Sequence, residues 1–457
     1  MIEKVWKEAK KVTEVMETSK QVTDTYKTNK EEQAQCMRQL KWEWVEASIW
    51  TDSMLTALES GVKGNKWFSL IDKVYRPKTL EAAWQKVRAN KGAGGVDEIT
   101  TKMFETQQMK YLKELELELK TGTYIPKAVK RVYIPKGQGK TRPLGIPTIK
   151  DRIAQQAIKM VIEPIFEKEF LDMSYGFRPK RGAKMALKEV TRLIEEGYTW
   201  VVDADLQAYF DTIPHDRLMM KVKERISDGN IIKLIELWLK QEIMEECNLW
   251  KPTMGSPQGA VISPLLSNIY LHDLDLAVTR AGYKMIRYAD DFVILAKTQE
   301  EATEALKVVQ TWVTENELIL HPEKTHLGNC LIEGQGFEFL GYRFEAGSSW
   351  VRKKSIQKFR ERIRELTKRS CGTSLKTVIA KLNPVLRGWC NYFRDVTKYT
   401  LGTFDSFVRR RLRAILQRHN KKKSFGAGWC HLKYPNKFFA NNGLINMEDL
   451  QRQYLVR

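Results

Sequence analysis

The chain of 457 residues is poor in cysteine, and its six cysteines, at 36, 247, 330, 371, 390 and 430, form no CxxC pair. That spacing indicates neither a zinc ribbon nor a disulfide framework and fits a reduced, cytoplasmic protein. Long apolar runs are also missing. Nothing approaches the roughly 18 consecutive apolar residues of a membrane helix, so no membrane partner is expected. The opening Met1-Ile2-Glu3-Lys4-Val5-Trp6-Lys7 lacks the apolar core of a signal peptide. Negative charge is scarce in one place. Across 352–423, 4 Asp/Glu stand against 22 Lys/Arg, so this stretch carries +18 of a formal net charge of +21. An evenly solvated basic surface would not concentrate its excess in this way. Such asymmetry indicates a polyanionic partner, most often nucleic acid.

The chain as a whole is 42% hydrophobic and 29% charged, the composition of a folded protein, and long enough for roughly two to four domains. Residues 1–45, rich in Lys, Glu, Gln and Thr, read as a helical or partly disordered extension. A denser apolar segment over 42–75 follows, with Trp42, Trp44, Trp50, Trp67 and Phe68. The break at Arg76-Pro77 opens a helix expected over 79–89, and a loop over 90–97 comes next. Val132-Tyr133-Ile134 and Leu144-Gly145-Ile146 read as strands joined across 136–140. Asp151 is the expected cap of a helix running to about Phe170, with Ile153, Ala157, Ile158, Val161, Ile162 and Ile165 at helical spacing. Strands are expected over 199–206, 285–288 and 292–296, the last two around a two-residue turn. Helices over 215–226, 231–242 and 263–274 lie between them, the last with Ser263-Pro264 as a favoured start. Strands mixed with helical crossovers indicate an α+β sheet domain. Beyond Trp350 the pattern changes to three basic amphipathic helices over 356–369, 375–396 and 404–418, punctuated by Gly372 and Gly402.

The chemistry is concentrated in Tyr288-Ala289-Asp290-Asp291, at the tip of the apolar hairpin. Two carboxylates so close repel, and each raises the other's pKa. A divalent cation removes that penalty, and oxygen-only ligands suit magnesium. A third carboxylate should come from a neighbouring strand. Val201-Val202-Asp203-Ala204-Asp205-Leu206 supplies two candidates, Asp203 and Asp205, which period-2 alternation places on one face. Three such groups can hold two metals about 3.5–4 Å apart for phosphoryl transfer.

These residues resemble the motifs of reverse transcriptases. Tyr-Ala-Asp-Asp between apolar strands is similar to their signature, and Ala at its second position is frequent in the enzymes encoded by group II introns. Asp205-Leu206-Gln207-Ala208-Tyr209-Phe210-Asp211 resembles their first palm motif, a metal-binding Asp with an aromatic five residues later, and that spacing selects Asp205 and Phe210. The run over 255–266, beginning Gly255-Ser256-Pro257-Gln258-Gly259, is similar to the next motif. Pro135-Lys136 with Arg142-Pro143-Leu144-Gly145-Ile146-Pro147 resembles the fingers. Tyr175-Gly176-Phe177-Arg178-Pro179, His321-Pro322-Glu323-Lys324-Thr325 and Phe339-Leu340-Gly341-Tyr342 match further blocks. In order and spacing the resemblance covers about 80–344. Residues 67–97 resemble the N-terminal extension that contacts template and template-switching acceptor. The run over 382–393, with Arg387-Gly388-Trp389-Cys390-Asn391-Tyr392-Phe393, resembles the maturase (X) domain, which is also the polymerase thumb.

The resemblance implies an α+β right-hand polymerase: an N-terminal extension over 1–66, fingers and palm over 67–345, an α-helical thumb/maturase domain over 355–420, and a short basic DNA-binding tail over 421–457. It implies catalysis and metal binding by Asp205, Asp290 and Asp291, with two Mg²⁺ ions, for which Mn²⁺ can substitute. Lys136 and Arg142 would neutralise the incoming triphosphate, and Gln258 and Gly259 would meet the nucleotide. The Phe210 ring would exclude a 2′-hydroxyl and so favour dNTPs, while Lys324 would protonate the departing pyrophosphate. Arg387, Trp389, Tyr392, Arg409, Arg410, Arg411 and the Lys421-Lys422-Lys423 run are the expected nucleic-acid contacts. The implied partners are dNTPs, a DNA primer on an RNA or DNA template, group II intron RNA as a ribonucleoprotein, and target DNA, in a bacterial, nucleoid-associated setting. Many relatives end in a zinc-bearing His-Asn-His endonuclease. Here only Cys430 and His431 stand near the end, so the expectation is no endonuclease and a primer supplied by a nick or replication fork. The competing readings are a free-standing reverse transcriptase adopted for DNA repair or phage defence, and a splicing factor whose polymerase activity is incidental. An RNA-dependent RNA polymerase is disfavoured by Phe210.

Overall fold

The structure is a computed structural model that describes residues 41–455 apart from 138–139, 247, 371, 395–397 and 420–426. The expectations for residues 1–40 and for Lys421-Lys422-Lys423 lie outside the described residues. The chain divides into two compact units. Among the described residues, the first comprises 41–181, 207–276 and 313–319, and the second 182–206, 277–312 and 320–455.

The first unit is built around the helix Ile149–Glu167. Ile153, Ala157, Ile158, Val161 and Ile162 recur at helical spacing and are fully buried. The helix Pro77–Ala89 packs beside it and inserts Leu80, Ala83 and Trp84 into the same core. Proline at its first position suits a helix start, because the missing N–H would have been unpaired there. The cap of the central helix differs from expectation. Thr148, not Asp151, is the N-cap and accepts from Asp151 N, while the Asp151 carboxylate takes the Thr148 hydroxyl at 2.8 Å. Both residue types cap well, and this reciprocal pairing resembles a capping box with Asp in the third position. A four-stranded sheet completes the unit in the order Lys140–Ile146, Val129–Gly137, Ile243–Glu245, Asn248–Trp250. The first two strands form the expected hairpin, with Val132 opposite Leu144 and Ile134 opposite Arg142. The helices expected over 215–226 and 231–242 are observed as His215–Lys223 and Gly229–Leu239.

The second unit holds a four-stranded antiparallel sheet in the order Lys284–Tyr288, Asp291–Ala296, Trp200–Asp205, His326–Asn329. The strand Asp291–Ala296 is buried from Phe292 onward, as its unbroken apolar sequence requires for a strand covered on both faces. A second, three-stranded sheet of Phe337–Phe339, Tyr342–Glu345 and Ser348–Val351 follows. The three basic helices are present as Lys353–Leu366, Leu375–Tyr392 and Lys398–His419. In the last, Leu401, Phe404, Val408, Leu412 and Ile415 form a buried stripe, which leaves the arginines on the remaining faces. Short helices Ala427–Lys433, Asn436–Asn441 and Met447–Leu455 end the described chain. The final one docks on the preceding helices, where the buried Asp405 carboxylate accepts from Met447 N at 3.1 Å.

Phe404 is 1% exposed, with Phe359 and Trp389 packed on it at centroid distances of 5.0 and 4.8 Å. Phe404→Ala should therefore destabilise the second unit by about 3–5 kcal/mol. Truncating the 63%-exposed Phe68 should change stability by less than about 0.5 kcal/mol. Urea unfolding followed by tryptophan fluorescence compares the two; equal midpoints would contradict this packing.

Candidate active site

Register brings the carboxylates together. The strand Trp200–Asp205 pairs antiparallel with Asp291–Ala296 so that Asp205 lies opposite Asp291. Across the hairpin Tyr288 lies opposite Asp291, which leaves Ala289 and Asp290 as the turn. Ala289 adopts φ +62°, a left-handed conformation that costs an L-residue about 1–2 kcal/mol. Arg287, fully buried in the preceding strand, donates to the Ala289 carbonyl at 3.0 Å and holds the turn. Arg287 was not singled out from the sequence, although a cation inside an apolar strand was the available signal.

Asp203 lies two residues before Asp205, and the mixed burial of the strand puts both on the less covered face. Burial, followed by the charge of Asp291, pushes the Asp203 carboxyl up to about 7. Asp291 is likewise pushed up to about 7, first by burial and then by Asp205 and Asp290, against the opposing pull of Arg352 and Lys324. Arg352 lies outside the sequence motifs, as the first of many cations in the basic stretch. Lys324 forms an ion pair with Asp205, and His326 Nδ1 stands 3.8 Å from Asp203. Among the described residues no three potential ligands already converge on one point. The donor set nonetheless fits a hard divalent cation: it is oxygen-only, crowded, and short of positive charge except for Lys324 and Arg352. Asp205, Asp290 and Asp291 are the residues that would hold it.

The first unit assembles a second group. Arg142 Nε donates to Gln258 Oε1 at 2.8 Å, and Gly145 N donates to Gln258 O at 2.6 Å. Gly259 has φ +108°, and a Cβ there would sit 2.3 Å from Gly145 O, so only glycine permits this close docking of loop on strand. Lys136 lies on the neighbouring strand Val129–Gly137, but its side chain is outside the described residues. Phe210 is 8% exposed and packs edge-on against Tyr209, whose hydroxyl donates to Ser267 O at 2.9 Å. Together with Asp211 and Trp250, Phe210 lines a cavity of about 270 Å³.

The expected nucleic-acid contacts fall into different settings. Arg387 is exposed on its helix. Trp389 stacks on Phe359 at 4.5 Å, and the Tyr392 hydroxyl donates to Leu340 O at 2.8 Å, so both side chains are engaged in the fold. Both also line a cavity of about 630 Å³ that reaches Asp291 and includes Arg352 and Lys358. Arg411 points elsewhere, donating to Thr367 Oγ1 at 3.0 Å and Thr367 O at 2.7 Å. Arg409 and Arg410, with Arg360, Arg364 and Arg413, surround a cavity of about 730 Å³.

Comparison with known proteins agrees with this arrangement. A family model described as reverse transcriptase (RNA-dependent DNA polymerase) matches residues 134–344. A second, described as the group II intron maturase-specific domain, matches residues 356–434. Protein YkfC of Escherichia coli (strain K12) is 35% identical over 60% of this chain and 82% of its own length. The group II intron-encoded protein LtrA of Lactococcus lactis subsp. cremoris is 39% identical over 46% of this chain, though over 35% of its own length. The putative COX1/OXI3 intron 1 protein of Saccharomyces cerevisiae is 36% identical over 38% of this chain and 21% of its own length. The aligned part thus spans only about a third or less of the two intron proteins. Among the described residues no helix is long and apolar enough to cross a membrane.

The raised carboxyls give a pH dependence with a definite sign. Below about 4 the unfolded and folded carboxyls are both protonated. Between about 4 and the folded value of about 7, the folded protein retains protons that the unfolded chain has lost. Stability in chelator therefore falls as pH rises through this window. Thermal melts in EDTA should show that slope, and Asp291→Asn should flatten it. Mg²⁺ should raise the melting temperature more at pH 8 than at pH 5. An unchanged slope in the variant would rule out this origin.

Proposed function

The chain belongs to the reverse transcriptases of the group II intron maturase family, and on that premise we propose that it extends a DNA primer on RNA or DNA templates by two-metal phosphoryl transfer. We further propose that it binds group II intron RNA to assist splicing and intron mobility. The observation that carries the first reading is the strand register that sets Asp205 against Asp291 with Asp290 in the adjoining turn.

In this reading Asp205, Asp290 and Asp291 would hold two Mg²⁺ ions, and the chemistry these would supply is acidification of the primer 3′-hydroxyl and charge neutralisation at the leaving pyrophosphate. Lys136 and Arg142 neutralise the triphosphate. Gln258 keeps Arg142 oriented through their shared hydrogen bond. The buried Phe210 leaves no room for a 2′-hydroxyl, so deoxynucleotides are chosen by exclusion. Lys324, paired with Asp205, supplies the proton that the pyrophosphate takes as it departs.

The RNA-binding reading is supported by the guanidiniums around the 730 Å³ cavity, Arg360, Arg364, Arg409, Arg410 and Arg413. Five guanidiniums against the single carboxylate of Glu448 favour a polyanion, and phosphates of a structured RNA supply it by shape and backbone contact. Arg387, exposed on the helix Leu375–Tyr392, is a further candidate contact.

Primer extension on poly(rA)/oligo(dT) with Mg²⁺ and dTTP tests the polymerase. Asp290→Ala/Asp291→Ala should lose activity by a factor on the order of 10²–10³ or more while intron RNA binding persists. Wild-type protein that binds RNA but does not extend would instead favour the splicing-factor reading. Phe210→Ala should erode discrimination against ribonucleotides by about 10-fold or more, read as the ratio of kcat/KM for dTTP and UTP.

A further inference from the structure

The helix Ile149–Glu167 is the apolar spine of the first unit, yet three of its buried side chains are polar: Asp151, which pairs with the cap Thr148, and Arg152 and Gln155, one turn apart. Gln155 is 0% exposed. Its Oε1 accepts from Val261 N at 2.8 Å, while its Nε2 has no protein acceptor. A buried donor without a partner is a cost that Met or Leu would avoid. What the amide contributes is therefore its acceptor, aimed at the loop two residues beyond Gly259. Arg152, 9% exposed, donates from Nε to Pro147 O at 2.9 Å, and its Nη2 contacts Ala93 O. Pro147 directly follows the strand Lys140–Ile146, which carries Arg142.

One helical turn thus grips both walls of the candidate nucleotide clamp. The walls also touch directly, through Arg142 with Gln258 and Gly145 with Gln258. With the helix as a third point, strand and loop are triangulated. We propose that Arg152 and Gln155 are positioning residues for the incoming nucleotide, fixing the spacing between Arg142 and the Gln258-Gly259 loop from behind. This rests on the reading of Arg142, Gln258 and Gly259 as the triphosphate clamp. Neither positioning residue touches the substrate. Displacing a binding group by about 1 Å can cost up to about 100-fold in rate, so the effect should appear as weakened nucleotide use.

The test is steady-state primer extension by the full chain on poly(rA)/oligo(dT), with dTTP varied. Gln155→Met preserves volume and removes the acceptor, whereas Gln155→Glu retains an acceptor. The Met variant should raise KM for dTTP about tenfold, with kcat, primer–template affinity and melting temperature little changed, and the Glu variant should recover most of that loss. If Gln155→Met does not fold, Arg152→Lys, which keeps the charge and loses the second donor, must show the same KM effect. In an Arg142→Ala background, Gln155→Met should add little, because both act through one clamp. A normal KM in Gln155→Met, or equal losses in kcat, primer–template binding and melting temperature, would overturn the positioning role. If Arg142→Ala and Gln258→Ala themselves leave KM unchanged, the clamp fails and this proposal with it. A strong Arg142→Ala effect beside a silent Gln155→Met removes only the positioning role.

Discussion

Mutual repulsion of carboxylates at the ends of two adjacent, buried strands is the constraint around which the second unit is arranged. Asp205 and Asp291 are forced together by register, and Asp203 and Asp290 crowd them further. A protein selected for stability alone would not bury such a group. The surroundings respond to it. Lys324 pairs with Asp205, Arg352 pulls on Asp291, and Arg287 clamps the strained turn between the strands. The basic helices meet the same centre through the cavity that joins Asp291 to Arg352, Lys358 and Trp389.

The first unit solves a different problem. Under the proposed function, a triphosphate would have to be met there by fixed donors, not by long cations free to swing. Docking Gln258 and Gly259 against Arg142 and Gly145 removes that freedom, and the helix Ile149–Glu167 lends it a rigid, largely apolar base. The polar side chains that interrupt this base are where its interior has been shaped by something other than packing.

Local patterning made much of this legible in the sequence. The hairpin carrying Asp290 and Asp291 was visible because two short apolar runs and the turn between them are encoded within a dozen residues, and the basic helices because their apolar stripes repeat every three or four. Their ends moved by a few residues, as frayed or capped termini do. Thr148 and Asp151 show the limit of local reading: both suit a cap, and only the pairing of their side chains decides which residue takes the position. Asp203 and Asp205 were equivalent by alternation, and a known motif, not geometry, separated them. Arg287, Arg152 and Gln155 escaped notice because their partners lie across a turn or in distant segments. The aromatic Trp389 reads in sequence as a surface for bases, while in the fold its ring is stacked on Phe359.

The antiparallel order of the carboxylate sheet also bears on how the protein is made. Its central strands, Trp200–Asp205 and Asp291–Ala296, come from well-separated stretches of chain, and His326–Asn329 arrives later still. During synthesis the strand bearing Asp205 leaves the ribosome without either neighbour, an unpaired edge that must be kept from aggregation until a long loop closes. The polymerase centre is therefore born late, after most of the chain has emerged. A nascent chain truncated before Tyr288 would carry Asp205 but neither Asp290 nor Asp291, and no strand to pair with it.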